Sequence, residues 1–294
     1  MKPPPFEYYD PTTIEEAIDL LGRYGTEARL LAGGQSLVPQ LNFRLSTPAI
    51  IIDLNRIPQL SYIRQQDGHI CFGAMTRQRQ IQFSNLVAQK IPLMVEATRL
   101  IGHLPTRTRG TIGGSLAHAD PSAEFPTLVA ALDGEMVVRT GSSERVLKPR
   151  DFFRGPLSTA MRPEEILTEV RLPVTGAGSG WAFEELGLRE NHVAIVSVAA
   201  QVSVDEHGGC ASARLAVGGC SRPTRLRAVE EILEKEGLGE RILSEAAVRA
   251  AELVDPDGDF HASAAYRRRL TRVLVGRALT RATAMAHRTE KANA

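Results

Sequence analysis

The 294-residue sequence predicts an α+β protein of two domains. Three observations carry this expectation. Residues 12–54 read as a small β-α-β-like unit with a glycine turn at the end of a strand. Residues 175–180, Thr-Gly-Ala-Gly-Ser-Gly, form the clearest linker in the chain. Beyond it, two long strand-like runs precede three helical stretches, the order of an α+β domain. A hydrophobic fraction of 43% suits one large domain or two moderate ones with ordinary cores.

The elements follow from local signals. Thr12 and Thr13 precede Glu15 and Glu16 at capping-box spacing, and Ile14, Ala17, Ile18 and Leu21 repeat on one helical face. Gly22 and Gly25 end that helix. Ala28–Leu31 reads as a short buried strand leading into Ala32-Gly33-Gly34-Gln35-Ser36. Residues 37–45 read as a short helix interrupted near Pro39, and residues 50–54 as a second strand. The glycine turn then lies at a strand's carboxyl end, where ligands of α/β layers bind. Residues 62–63 and 70–72 pair as strands around Asp67-Gly68, a hairpin signal. Thr76 caps a helix to about residue 88, and Pro92 opens another through Ile101, closed by Gly102. Thr111-Ile112-Gly113-Gly114-Ser115 follows, then a helix near residues 123–132. Residues 137–138, 145–147 and 166–172 supply further strands. After the linker come strands at 193–204 and 211–217, then helices at 225–236, 244–253 and 264–284. The expected boundaries are a first domain at 1–176, with lobes at about 1–56 and 57–176, a second at 177–289, and a tail at 290–294.

Charge and cysteine content narrow the function. Thirty-five basic against 34 acidic residues give a net charge of +1, which argues against a nucleic-acid surface needing a clustered basic excess. Arg267-Arg268-Arg269 is the basic run of note, read as a solvated or interface face. No stretch reaches the ~20 apolar residues of a membrane span. Residues 1–5 lack the apolar core of a signal peptide, so a cytoplasmic location is expected. Cys71, Cys210 and Cys220 are too few and too scattered for a disulfide framework or an iron–sulfur cluster. Cys210 and Cys220 read as small buried apolar residues.

The two glycine segments point to the ligand. Paired glycines allow positive φ and close backbone approach, and successive free N–H groups make a concave donor site for phosphate oxygens. Two such segments, each with a serine, suit a ligand with two anionic groups, and a dinucleotide pyrophosphate is the natural candidate. Ser36 and Ser115 read as hydroxyl donors, since no base partner for a nucleophile is identifiable. His118, Asp120 and Glu124 admit a metal or acid–base cluster. They equally admit a loop in which Asp120-Pro121-Ser122 caps the next helix, with Glu124 in its first turn. No Walker loop, Gly-x-Gly-x-x-Gly, His-Glu-x-x-His or Gly-x-Ser-x-Gly motif occurs.

Residues 32–36 and 111–115, the latter continuing as Leu116-Ala117-His118-Ala119-Asp120-Pro121-Ser122-Ala123-Glu124, resemble the two FAD-binding signatures of a known family. This is the flavoprotein medium subunit of molybdenum hydroxylases of the carbon monoxide dehydrogenase and xanthine dehydrogenase type. Tyr9-Asp10-Pro11, Gly73-Ala74-Met75-Thr76, Pro163-Glu164-Glu165-Ile166-Leu167 and Gly218-Gly219 with Pro223 and Arg225 resemble it in order and spacing. The likeness covers residues 6–285. It implies a two-lobed FAD-binding domain of the para-cresol methylhydroxylase type, followed by a smaller α+β domain of antiparallel strands and a helical bundle.

The resemblance also implies the site. Leu31, Ala32, Gly33, Gly34, Gln35, Ser36, Thr111, Ile112, Gly113, Gly114 and Ser115 would cradle the pyrophosphate and its surroundings. Glu124 falls where the family carries a carboxylate hydrogen-bonded to the cofactor, and Leu167 where a residue lies near the adenine end, with core packing as its alternative. Glu184 stands in place of a usual lysine near the flavin ring, and His192-Val193 in place of Asp-Tyr or Asp-Phe. Val193 then offers the ring an aliphatic contact. No side chain is expected to act as acid or base, and no metal is expected on this chain. The molybdenum cofactor would lie on a large partner subunit and two [2Fe-2S] clusters on a small one, in a dimer of heterotrimers, with electrons leaving FAD for an external acceptor. A stand-alone FAD-dependent dehydrogenase and a non-redox nucleotide-binding module are the alternatives.

Overall fold

The computed structural model describes residues 1–189 and 192–293. Its first lobe holds β1 (Glu7–Tyr9), α1 (Ile14–Tyr24), β2 (Ala28–Leu31), α2 (Leu37–Asn42) and β3 (Ile50–Asp53). The strands form a parallel sheet in the order β1-β3-β2. Thr13 accepts from the Glu16 N–H, and Glu16 reaches back to the Thr13 N–H, closing the capping box. Ile14, Ala17, Ile18 and Leu21 are buried against Ile50 and Ile52. Helix α1 passes through Gly22 and stops at Gly25, and α2 carries Pro39 in its first turn without a break.

The second lobe runs β4 (Ile63–Gln66), β5 (His69–Gly73), α3 (Gln78–Gln82), α4 (Asn85–Lys90), α5 (Pro92–Leu100), α6 (Leu104–Arg109), α7 (Ile112–His118) and α8 (Glu124–Ala131). It continues with β6 (Glu135–Arg139), β7 (Glu144–Leu147), α9 (Pro149–Phe152), β8 (Phe153–Gly155), β9 (Ser158–Thr159) and β10 (Ile166–Pro173). An antiparallel sheet, β4-β5-β10-β6-β7, carries the helices, and β8 and β9 pair apart from it. Asp67 (φ 48°) and Gly68 (φ 75°) turn the β4–β5 hairpin in the left-handed region. The helix expected over residues 76–88 is two helices: α3 ends at Gln82, and Ser84 caps α4 through the Val87 N–H.

The C-terminal unit comprises β11 (Ser179–Gly187), β12 (Ala194–Val204), β13 (Cys210–Gly218), β14 (Thr224–Arg225), α10 (Arg227–Glu236), α11 (Glu240–Leu253) and α12 (Ala264–Asn293). The strands form an antiparallel sheet in chain order. Its α+β class is as expected, but the linker is shorter. Ser179 and Gly180 already pair with Ser203 and Val202. A Cβ on Gly180 would stand 2.0 Å from the Ala282 carbonyl oxygen, so the glycine admits α12 onto the sheet.

Helix α12 extends well past residue 284, to Asn293, and residue 294 lies outside the described residues. Arg267 departs from the reading of the basic run as a solvated or interface face. It is only 5% exposed and hydrogen-bonds Asp259 and the carbonyls of Ile195 and Gly219. Cys71 and Cys220 are buried and Cys210 is half-buried. Burial pushes the Cys210 and Cys220 thiols up to about 11, which keeps both protonated at neutral pH.

The two domains share a core. Phe183, Ala199 and Ala216 of the C-terminal sheet pack with Phe125, Leu128 and Val129 of α8. Buried Thr127 and Ser197 share a hydrogen bond of 3.1 Å across the junction. The Pro121 carbonyl accepts from the Gly219 N–H at 2.8 Å. The loop that opens α8 is thereby fixed to the C-terminal sheet.

Candidate cofactor site

A cleft of about 890 Å³ opens where the first lobe, the second lobe and the C-terminal unit meet. That volume lies in the range of about 300–1,000 Å³ typical of small-molecule sites. Residues 32–36 form one wall, and Thr111, Gly113, Gly114 and Ser115 the facing one. The Asp120–Glu124 loop, Ile166 and Leu167, and His192 with Val193 complete it.

The two glycine segments meet at backbone contact. A Cβ on Gly33 would lie 2.4 Å from the Arg109 carbonyl oxygen and 2.7 Å from the Gly110 Cα. One on Gly114 would lie 3.2 Å from the Ala32 Cβ and 3.9 Å from the Gly33 nitrogen. A Cβ on Gly113 would lie 2.5 Å from the Ala74 Cβ. Close approach of the lobes is therefore what the glycines supply. Of the four in the two pairs, Gly34 alone uses the left-handed φ that glycine allows, 73°.

Their hydrogen bonding differs as well. The N–H groups of Gly33, Gly34, Gln35 and Ser36 are taken by no described protein carbonyl. Ser36 stands at the N-cap of α2 without a side-chain capping bond. In the second segment the N–H groups of Ile112, Gly113 and Ser115 go to the carbonyls of Thr76, Ala74 and Thr111. That of Gly114 goes to Thr111 Oγ1 at 3.1 Å. So the second segment opens α7 as a capped helix, and its contribution to the cleft is the Ser115 side chain and the space left by the glycines.

Two residues that the sequence reading passed over hold the first segment in place. Asn55 Nδ2 donates to the Ala32 carbonyl at 2.9 Å, and Asn55 Oδ1 accepts from Arg77. Arg77 also donates to the Arg109 carbonyl, tying both glycine segments to one guanidinium. Such long-range partners leave no local signal in a sequence.

Most of the sequence-predicted residues converge here. Ala32, Gly33, Gly34, Gln35, Ser36, Thr111, Gly113, Gly114, Ser115, Glu124, Leu167 and Val193 all line the cleft. Leu31 faces a smaller cavity of about 340 Å³ on the other side of the first glycine turn. Ile112 is fully buried in the core of the second lobe. Glu184 points away and pairs with Arg281 at 3.0 Å. Its neighbour Glu185, on the opposite face of β11, is the one that acts on Glu124.

The carboxylates are electrostatically unusual. Burial, aided by the negative charge of Glu185 and Asp120, pushes the Glu124 carboxyl up to about 8. Burial alone pushes Glu185 up to about 7, and its Oε2 is buried without a partner. Among the described residues, no three His, Cys, Asp or Glu side chains gather at a metal-binding distance. The Asp120–Ser122 loop is an Asx turn, with the Ser122 N–H on Asp120 Oδ1 at 2.9 Å. Ala123, rather than Ser122, is the N-cap of α8, and it makes no side-chain capping bond.

The donor set fits a dinucleotide. Open N–H groups of residues 33–36, a free serine hydroxyl and glycines that admit backbone contact suit a pyrophosphate. Gln78, on the cleft wall, is buried, and its Oε1 packs against Gly110 without a hydrogen-bond partner. The fold and site together define a dinucleotide-binding module with an appended α+β domain.

Comparison with known proteins gives the family. Residues 4–175 match the family described as the FAD binding domain in molybdopterin dehydrogenase, and residues 181–282 match the CO dehydrogenase flavoprotein C-terminal domain. The chain is 39% identical over 292 residues to the 6-hydroxypseudooxynicotine dehydrogenase complex subunit alpha of Paenarthrobacter nicotinovorans, covering 99% of both chains. It is 35% identical over 289 residues to the carbon monoxide dehydrogenase medium chain of Hydrogenophaga pseudoflava, covering 97% of this chain and 99% of that one. Carbon monoxide dehydrogenase from the same organism, in a form lacking the Mo-pyranopterin moiety, superposes with a TM-score of 0.94 at 34% identity, over 97% of this chain and 99% of that one. The protein belongs to the FAD-containing medium subunits of molybdenum hydroxylases. It is an oxidoreductase subunit that carries FAD. No helix among the described residues is long and apolar enough to cross a membrane.

Proposed function

We propose that residues 32–36, with Thr111 and Ser115, hold the FAD pyrophosphate in this cleft. Glu124, Leu167 and Val193 then line the remainder of the cofactor. The open N–H groups of Gly33, Gly34, Gln35 and Ser36 carry this reading, because they are donors with no described partner at a site built for close approach. FAD supplies the two-electron chemistry when bound. The chain's own residues bind and orient it, exclude water at the domain junction and set the charge around it. None is assigned as a catalytic acid or base.

In the assembled enzyme, the molybdenum cofactor of a large partner subunit would take electrons from substrate, [2Fe-2S] clusters of a small one would pass them to the FAD held here, and an external acceptor would receive them. The relatives are named for 6-hydroxypseudooxynicotine, caffeine and carbon monoxide as well as xanthine. A substrate range this wide supports placing substrate choice on the large subunit, with this chain as a shared electron outlet. We assign a cytoplasmic location, an FAD-binding domain at 1–176 and a C-terminal domain at 177–289.

The test is an absorption spectrum of the isolated chain and of the complex co-expressed with its partners, with extracted cofactor identified by mass. Flavin bands, released FAD and no substrate turnover by the isolated chain are expected. A co-expressed complex that contains no flavin and takes up none would overturn the reading.

A further inference from the structure

Gly218-Gly219 and the buried Arg267 lie outside the cleft, yet both bear on its walls. Gly219 takes φ 83°, and a Cβ there would stand 2.2 Å from the Ile195 carbonyl oxygen. A Cβ on Gly218 would stand 2.0 Å from Thr127 Oγ1 on α8, one turn beyond Glu124. The pair is therefore wedged between the start of β12 and α8.

Arg267 of α12 locks that wedge. Its Nη1 donates to the carbonyls of both Ile195 and Gly219, the latter at 3.0 Å, and its Nη2 to Asp259 Oδ2 at 2.7 Å. The rigid guanidinium fork can hold these three acceptors at once. Both carbonyls lead to the cleft. Ile195 lies two residues after Val193, which lines it with His192. Gly219 donates its N–H to Pro121, between the cleft-lining Asp120 and Ser122. Arg267 also keeps Nε buried without a partner, an unfavourable arrangement that its other bonds must offset.

We propose that Arg267 is a positioning residue for the cofactor: through Ile195 and the Gly219–Pro121 bond it fixes the cleft walls that the C-terminal domain controls. This rests on FAD occupying the cleft, which the wild-type flavin spectrum tests separately. Asp259 orients the guanidinium, helped by the N–H groups of His261 and Ala262 that fix its carboxylate.

The experiment compares wild type, Arg267→Met, Arg267→Lys and Asp259→Asn as full-length chains. It measures FAD affinity by flavin fluorescence, the visible circular dichroism of bound FAD, and thermal stability. Arg267→Met is expected to weaken FAD binding about tenfold or more, the scale seen when supporting contacts behind a site are lost. It should also alter the visible dichroism. Arg267→Lys should recover part of the affinity, and Asp259→Asn should shift both readouts in the same direction by less. If Arg267→Met does not fold, the other two variants decide. Lowered Tm with wild-type FAD affinity and dichroism in the folded variants would make Arg267 a purely structural clamp and overturn the proposal. A wild-type chain and complex without flavin would instead sink the cofactor reading.

Discussion

The two Gly-Gly segments look alike in sequence and do different work in the structure. Residues 32–36 leave β2 as an irregular turn in which the N–H groups of residues 33–36 are open, and Gly34 sits at φ 73°. Residues 111–115 begin α7, and the N–H groups of residues 112–115 are consumed inside the protein. One segment offers donors to a ligand. The other gives up its Cβ atoms so that α7 can come against Ala74 of its own lobe and against Ala32 of the first lobe. The motif is thus a statement about space at both places, and about hydrogen-bond donors at one.

The largest expected effects test that difference directly. Gly33→Ala and Gly113→Ala each force a Cβ to within 2.4–2.7 Å of backbone or Cβ atoms that cannot rotate away. Each should cost about 3 kcal/mol or more, the upper end for overpacking, and lose FAD with the fold. Gly114→Ala meets mainly the Thr111 hydroxyl at 2.8 Å and the Ala32 Cβ at 3.2 Å. It should fold with a loss nearer 1 kcal/mol. Because Gly114 lines the cleft, FAD affinity should nonetheless fall clearly. Thermal melts of the apo chain beside FAD titrations separate the two. If Gly114→Ala keeps wild-type FAD affinity, the second segment is architecture alone.

Legibility in the sequence followed the range of the interaction. The capping box of Thr13 and Glu16, strand β2 and the Asp67-Gly68 hairpin were readable because each is decided within a few residues. The glycine segments were readable as close-approach sites for the same reason. What they approach was not: Arg109, Ala74 and the Asn55–Arg77 brace come from elsewhere in the chain. The resemblance selected Glu184 as the acidic replacement near the ring. Strand alternation on β11 turns Glu184 to Arg281 and brings Glu185 to bear on Glu124. Arg267 read as surface because charge runs are usually solvated, whereas tertiary packing buries one member of this one.

The Glu124 carboxyl on the cleft wall makes stability depend on pH. Its value in the fold, about 8, lies above the ordinary 4.5, so the folded state holds the proton more tightly than the unfolded chain. The stability from this group is fully present below pH 4.5 and is lost as pH rises through about 8. Glu124→Gln stays neutral throughout. The fall in apo-chain Tm between pH 5 and pH 8 should therefore shrink in the variant. An equal fall in both proteins would mean that Glu124 is ionised in the fold, and that Glu185 does not press on it.

The smallest effects contrast two hydroxyls that the sequence would treat alike. Thr111 is a working cap: its Oγ1 accepts from the Gly114 N–H, and Thr111→Ala should cost about 1 kcal/mol. Ser122 stands before α8 in a similar place, and by sequence its loop caps that helix. In the structure, Ala123 is the N-cap, and what Ser122 contributes is its backbone N–H to Asp120. Alanine keeps that bond. Ser122→Ala should stay within about 0.5 kcal/mol, as for surface changes that remove no named contact. Equal losses in the two variants would show that the Ser122 hydroxyl, and not the Asx turn with its Gly219 tether, sets the loop that carries Glu124 into the cleft.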